Sequence, residues 1–270
     1  MVEQVAAEVA TDCIQSGDEV VVDTSRPRTV LLSLAARSSL SDVVVTVFGY
    51  PYADSTPLER LATHDGVTLR VSMVPPGLRE VVADGSVEYV PRTVYQTSRR
   101  PALDTDRRTI GLVQTPLLSN SNRHPLGCLS TFGQELARTA DRLIVETNPR
   151  LPRTPATEAV ERSAVDYAVE TDAALPTLPA ATSGTASDIA DNVSDLVPPG
   201  ATVQLGVGSV MAAIGDALAS TQRQYSLWTG LLGESTRPLF ESGAVDDATA
   251  CVAIGATDSF YEWVRGLDGI

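Results

Sequence analysis

The sequence predicts an α/β protein of two related domains with mostly parallel sheets, the second domain incomplete. Three observations lead there. Glu19–Val22 and Val43–Val47 are short Val-rich runs without polar alternation, as in strands covered on both faces. Such runs alternate along the chain with segments of helical apolar spacing, the pattern of a parallel sheet joined by crossover helices. One arrangement, helix–strand–loop–helix, occurs twice, over residues 2–37 and again from about residue 187 to 218.

In chain order, Val2, Val5, Ala6, Val9, Ala10, Cys13 and Ile14 recur at helical spacing and predict a helix over 2–14, stopped at Ser16-Gly17-Asp18 with Gly17 as its cap. A strand at Glu19–Val22, a polar loop at 23–28 and a helix over 29–37 follow. Further strands are expected at 42–48, 67–73, 88–90, 109–114 and 142–146, with helices at 78–83 and 132–140. His124 falls in a stretch that reads as loop. Residues 173–187 are rich in Ala, Pro, Thr and Ser and predict a linker. Beyond it, Ile189, Ala190, Val193, Leu196 and Val197 predict a helix capped by Ser187 or Asp188 and ended by Pro198-Pro199-Gly200. A strand over 201–205, the loop Gly206-Val207-Gly208, a helix over 209–218, a strand near 225–229 and a helix over 259–265 complete the pattern. Two domains are expected, at 1–180 and 187–270; the second is short of the 100 residues or so that a complete α/β domain needs.

Composition narrows the function. Acidic residues number 34 against 20 basic ones, for a formal charge of −14, and every basic residue is Arg. Without lysine there is no Schiff-base lysine and no P-loop lysine. No basic patch offers itself to a nucleic acid. An acidic, lysine-free surface suits a very salty cytoplasm, where charge maintains solubility and screening is strong. The melting temperature is therefore expected to rise as KCl goes from about 0.1 to about 2 M; a maximum at low salt would contradict the halophilic reading. Cys13, Cys128 and Cys251 are isolated, and His64 and His124 are far apart, so no metal site is expected. The acidic N-terminal stretch predicts no signal peptide, and no apolar run reaches the length of a membrane span. The expectation is a cytoplasmic protein.

Three places could carry chemistry. In Gln204-Leu205-Gly206-Val207-Gly208 a strand ends in a glycine loop that opens a helix, where close backbone approach and free N–H groups favour an anion or a carbonyl oxygen. The same glycines serve a plain tight turn. A dinucleotide site fits less well, because Met211 stands at the third glycine position and no acid ends the next strand. Asn148, at the end of the strand over 142–146, could hydrogen-bond a bound group or simply form a turn before Pro149. In residues 227–235 a strand meets a glycine-containing loop with one acid, Glu234, which also reads as a solvated loop residue.

Taken in order, these stretches resemble the acetyl-CoA hydrolase/transferase family, which includes 4-hydroxybutyrate and acetate CoA-transferases. Residues 14–22 resemble its I-x-x-G-D-x-V opening, and residues 71–91 its S-M … A-D-Y-V-P segment. Residues 144–154 resemble I-A-E-V-N-x-x-M-P-R-T, and residues 165–176 resemble I-D-Y-x-V-E-x-D-x-P-L-P. Residues 200–208 resemble G-A-T-L-Q-L-G-I-G, and residues 227–235 resemble I-H-T-E-M-F-S-D-G. The resemblance implies coenzyme A as co-substrate without a metal, with acyl-CoA and a small carboxylate as ligands. It also implies a glutamate nucleophile that forms an acyl-glutamyl anhydride and then a glutamyl-CoA thioester, with backbone donors of the glycine loop facing the oxyanion. Gln204, Gly206, Gly208 and Asn148 match the family's pattern as binding positions.

Gly230 stands where the family places that glutamate, Trp228 where it places histidine, and Asp23-Thr24-Ser25-Arg26 where it has its first glycine-rich loop. Glu234 is then the acid left to act as nucleophile, four residues on. The resemblance also implies further glycine-rich segments beyond residue 270, so a complementing C-terminal subunit is expected, or a homo-oligomer formed at the apolar edge of an incomplete sheet. A catalytically inactive paralogue that binds CoA or acts as a regulatory or structural subunit is the alternative.

Overall fold

The computed structural model describes residues 3–104, 106–117, 122–154, 158–179 and 186–267. The chain divides into two compact units, the first comprising Met1–Arg153 and Thr157–Pro176 and the second chiefly Thr177–Ile270. Part of the expected linker, residues 180–185, lies outside the described residues.

The first unit contains, in order, β1 (Glu3–Gln4), α1 (Ala7–Thr11), β2 (Glu19–Val22), α2 (Arg28–Ala35), β3 (Val43–Val47), α3 (Thr56–Ala62), β4 (Val67–Val71), α4 (Arg79–Ala83), β5 (Glu88–Tyr89), α5 (Val94–Arg99), β6 (Thr109–Thr115), β7 (Arg123–Pro125), α6 (Gly133–Thr139), β8 (Arg142–Thr147), β9 (Ala159–Glu161) and β10 (Tyr167–Glu170). Eight strands form one sheet in the order β1-β10-β8-β6-β2-β3-β4-β5, and every pairing in it is parallel. Alternate residues divide between two apolar layers. Val20, Val22, Val43, Val45 and Val47 pack with Ala10, Val30, Leu34, Leu58 and Leu61 of α1 to α3. Val21, Val113 and Val145 point the other way, onto Phe132 and Leu136 at α6. That two-sided burial is why these strands read as unbroken Val runs.

The second unit contains α7 (Ala186–Leu196), β11 (Thr202–Val203), α8 (Ser209–Ser220), β12 (Tyr225–Leu232), α9 (Arg237–Glu241), β13 (Val245–Ala253) and α10 (Asp258–Arg265). Its three strands pair in parallel in the order β11-β12-β13. Ala190, Leu205, Ile214, Leu218, Leu227 and Leu239 form its core. The order α7–β11–α8 repeats that of α1–β2–α2, on a smaller sheet.

Several elements differ from expectation. The helix expected over 2–14 is a two-residue strand followed by a helix of only five residues. Val5 N–H donates to Ala168 O, so the start of the chain extends the sheet edge at β10 instead of winding. Gly17 therefore caps no helix; it takes a φ of +93° in the turn before β2. His124 lies on β7, paired antiparallel to β9, and is fully buried. Ser187 and Asp188 fall inside α7 and so do not cap it. Gly230 belongs to β12, which runs three residues past the expected strand end at 229. No described helix is long and apolar enough to cross a membrane.

Candidate functional site

In the second unit, β11 leads into Gln204-Leu205-Gly206-Val207-Gly208, and α8 starts at the next residue. Leu205 is buried in the core and anchors the loop, while Gln204, Gly206, Val207 and Gly208 are exposed. Gly208 adopts a φ of +121°, a conformation that side-chain-bearing residues rarely enter. Among the described residues the N–H groups of Val207 and Gly208 meet no acceptor, which leaves donors for an anion or a polarised carbonyl at the start of a twelve-residue helix.

The turn after β12 is fastened to this loop. Ser235 Oγ donates to Gly206 O at 3.1 Å, and Thr229 Oγ1 donates to Leu205 O at 3.2 Å. Gly215 of α8 lies so close to the turn that a Cβ there would stand 1.8 Å from Ser235 O. Glu234 sits on this turn, half-buried, and its Oε1 accepts from Ala256 N and Thr257 Oγ1, both at 3.4 Å. The structure thus gathers Gln204, Gly206, Gly208 and Glu234 into one neighbourhood. Trp228 and Gly230 lie two residues apart on the exposed face of β12. Trp228 is 71% exposed, and a Cβ at residue 230 would meet nothing within 4 Å.

Asn148 belongs to the first unit. It is fully buried: Nδ2 donates to Ala173 O at 2.9 Å, Oδ1 accepts from Arg150 N at 2.9 Å, and its N–H donates to Thr115 O at 2.8 Å. Those bonds make it the keystone of the loop after β8, as its place before Pro149 allows.

Next to it lies a buried carboxylate that sequence reasoning passed over as part of a strand. Glu146 Oε2 accepts from Val30 N at 2.9 Å, and Oε1 accepts from Gln114 Nε2 at 3.2 Å. It fills the N-terminus of α2, the position beside β2 and β6 where the strand order reverses and where an anionic ligand would otherwise dock. Burial pushes its pKa up to about 7, against the opposing pull of the backbone donors of α2. The folded pKa lies above the unfolded one, so the protonated form favours folding. That contribution is complete below about pH 4 and disappears as pH rises through about 7. Urea unfolding of Glu146→Gln is expected to show a flatter loss of stability between about pH 5 and 8 than the unmodified chain, a difference on the order of 3 kcal/mol at most. An unchanged pH profile would contradict this assignment.

Among the described residues no three His, Cys, Asp or Glu side chains gather as a metal site would require.

Solved structures share this fold over nearly the whole of the chain. The chain superposes on RipA from Yersinia pestis with a TM-score of 0.84 and 23% identity, over 99% of this chain and 67% of that one. It superposes on 4-hydroxybutyrate CoA-transferase from Porphyromonas gingivalis with a TM-score of 0.75 and 17% identity, over 98% and 65%. No protein-family model matches the chain. In sequence it is 27% identical over 261 residues to a succinyl-CoA:cyclohexane-1-carboxylate CoA transferase of Geobacter metallireducens, covering 92% of this chain and 56% of that protein. It is 24% identical over 173 residues to a 4-hydroxybutyrate coenzyme A transferase of Clostridium kluyveri, covering 63% and 39%. The chain thus resembles CoA-transferases of the acetyl-CoA hydrolase/transferase family in sequence and shares a fold with them. It spans about 39% to 56% of the length of these two curated relatives.

Proposed function

We propose that this chain moves CoA between small carboxylic acids, through a carboxylate other than residue 230. Glu234 is the first candidate, and an acid from a complementing C-terminal subunit or a second copy of the chain is the next. The observation that carries this reading is the fastening of the Glu234 turn to the glycine loop through Ser235 and Gly206. It holds a carboxylate in the same neighbourhood as the N–H donors of Val207 and Gly208.

The chemistry is that of a carboxylate nucleophile. A Glu234 oxygen attacks the thioester carbon of the donor acyl-CoA, the C–S bond breaks, and CoA leaves as thiolate. The thiolate attacks the glutamyl carbonyl of the anhydride, expels the donor carboxylate and leaves a glutamyl-CoA thioester. The acceptor carboxylate attacks that thioester and releases thiolate, which then takes the acceptor acyl group and restores the glutamate. Water in place of the acceptor makes the reaction a hydrolysis. The Val207 and Gly208 N–H groups would serve the oxyanion in each step.

Exchange of CoA between acetyl-CoA and propionate in high salt tests this. Glu234→Ala is expected to lower the rate at least about a hundredfold, equivalent to some 3 kcal/mol of barrier. A rate untouched by that change eliminates Glu234 as nucleophile.

A second reading is favoured by the missing side chain at Gly230 and by the bonds that hold Glu234 to Ala256 and Thr257. In it the chain is an inactive paralogue that binds CoA within an assembly. CoA binding without exchange, in the presence and absence of a complementing chain, selects this reading. Both readings place the protein in the cytoplasm.

A further inference from the structure

The first unit carries a second, smaller sheet that neither reading uses. β7 and β9 pair antiparallel, with Arg123 opposite Glu161, His124 opposite Val160 and Pro125 opposite Ala159. Leu126 N–H donates to Glu158 O at 2.9 Å and Arg162 N–H donates to Asn122 O at 2.7 Å, which closes the pair at both ends. Two strands of 3 residues each have little stability of their own. Packing holds this pair in place. Leu126 and Val160 pack with Phe132 and Leu136 at α6, and Gln134 Nε2 donates to Ala159 O at 3.4 Å.

His124 is wholly buried in this pair, and among the described residues neither of its ring nitrogens has a hydrogen-bond partner. Buried polar atoms are almost always bonded, so this ring is an exception. His64, the other histidine of the chain, shows the ordinary state: Nε2 bonds Arg37 O at 2.6 Å, and Nδ1 accepts from Gly66 N–H at 3.0 Å. A neutral imidazole without partners can stay in place. An imidazolium cannot, because both nitrogens then donate and the charge is unpaired. The charged groups of the surrounding elements supply no counter-charge. Arg123 and Glu161 pair with each other at 3.0 Å on the surface, Arg138 pairs with Glu135 on α6, and Glu158 is exposed. Arg162 is the charge that acts on the ring, and it has the same sign. Burial first, and Arg162 second, hold the ring's pKa below the usual 6.5.

We propose that His124 makes the β7–β9 pair an acid-opened latch, in which protonation of the ring draws it into water and separates the two strands. With the pair open, the ring titrates near its ordinary value of about 6.5; with the pair closed, it titrates lower. Well above that value the ring is neutral in both states and the pair stays shut. As pH falls below about 6.5 the open state takes the proton first, and opening becomes about tenfold more favourable per pH unit until the closed state's own pKa is reached. The dependence is opposite in sign to that of Glu146. β7 leads directly into Gly127, where a Cβ would stand 3.0 Å from Leu151, and Leu151 N–H donates to Asn148 O at 3.2 Å. Further along the same segment, Leu129 O accepts from Thr24 Oγ1 at 2.7 Å. Opening therefore loosens the Asn148 loop and the loop after β2 together. The latch does not depend on the transferase reading.

Hydrogen exchange of the full chain at about pH 7.5 and about pH 5.5, corrected for the intrinsic rate at each pH, tests it. The Leu126 and Arg162 amides are expected to open about tenfold more often at the lower pH. Val44 in the main sheet, whose N–H donates to Asp18 O, should show no such change. His124→Leu fills the same place without a titrating group and should remove the effect. Where that variant folds poorly, NMR titration of the unmodified chain decides. With two histidines in the chain their rings are readily told apart, and the His124 ring is expected to take its proton in step with the loss of amide protection at Leu126 and Arg162. The proposal is overturned if opening is equal at the two pH values, if a folded His124→Leu chain keeps the acid effect, or if the ring takes its proton while the pair stays closed.

Discussion

Gly230→Glu is expected to raise CoA exchange between acetyl-CoA and propionate at least about a hundredfold over the unmodified chain. The position is free to accept the change. It lies in the extended strand β12, outside the positive-φ residues, and an added Cβ meets no atom within 4 Å. Trp228 projects from the same face at 71% exposure, so that face of the strand already carries a large side chain without closing over residue 230. Glycine in a strand interior is also unfavourable by roughly 0.5 to 1 kcal/mol, so the substitution should not weaken the fold. What it adds is a carboxylate oxygen where the chain has only hydrogen. Covalent catalysis cannot begin at residue 230 without one. Exchange of labelled propionate into acyl-CoA measures the gain, and hydroxylamine trapping of the glutamyl thioester identifies the residue that carries it. A folded Gly230→Glu chain that stays inert would show that the lost glutamate is not what limits this chain.

Gly215→Ala is expected to lower the melting temperature by about 10 °C, or to prevent the second unit from folding. Helix propensity alone argues the other way, since alanine in a helix interior is better than glycine by about 1 kcal/mol. The contact outweighs it. A Cβ at residue 215 stands 1.8 Å from Ser235 O and 3.0 Å from its carbonyl carbon, both backbone atoms that cannot rotate away. Either α8 or the turn must move, and overpacking of this kind costs about 3 kcal/mol or more. The same displacement would break the Ser235–Gly206 bond, so CoA affinity should fall along with stability. Calorimetry of the two proteins checks the first effect, and titration with CoA checks the second. A melting temperature equal to or above that of the unmodified chain would contradict the close packing of α8 on the turn.

The elements legible in the sequence are those whose burial is two-sided or whose spacing is regular. The Val runs of β2 and β3 and the stretch that became α8 emerged within a residue or two of their expected bounds, because local composition and tertiary role agree there. Elements set by a distant partner were not legible. Val5 joins the sheet because Ala168 offers its carbonyl, although the periodicity of residues 2–14 is helical. His124 became a buried strand residue because Val160 lies opposite it. α5 and β13 gave no signal that was read, since the one is short and polar and the other leaves Asp246, Asp247 and Thr249 exposed around a shift in its register.

The site divides in the same way. Its glycines and the replacement at Gly230 are matters of residue type and order, and they stood in the sequence before any fold was known. The roles of the polar groups are matters of distance, which order along the chain does not encode. Asn148 is absorbed by Ala173 and Arg150, Glu146 fills the end of α2, and Ser235 reaches across 29 positions to Gly206. A hydrogen bond or an unmet charge depends on where two atoms come to rest, and only the packed chain determines that.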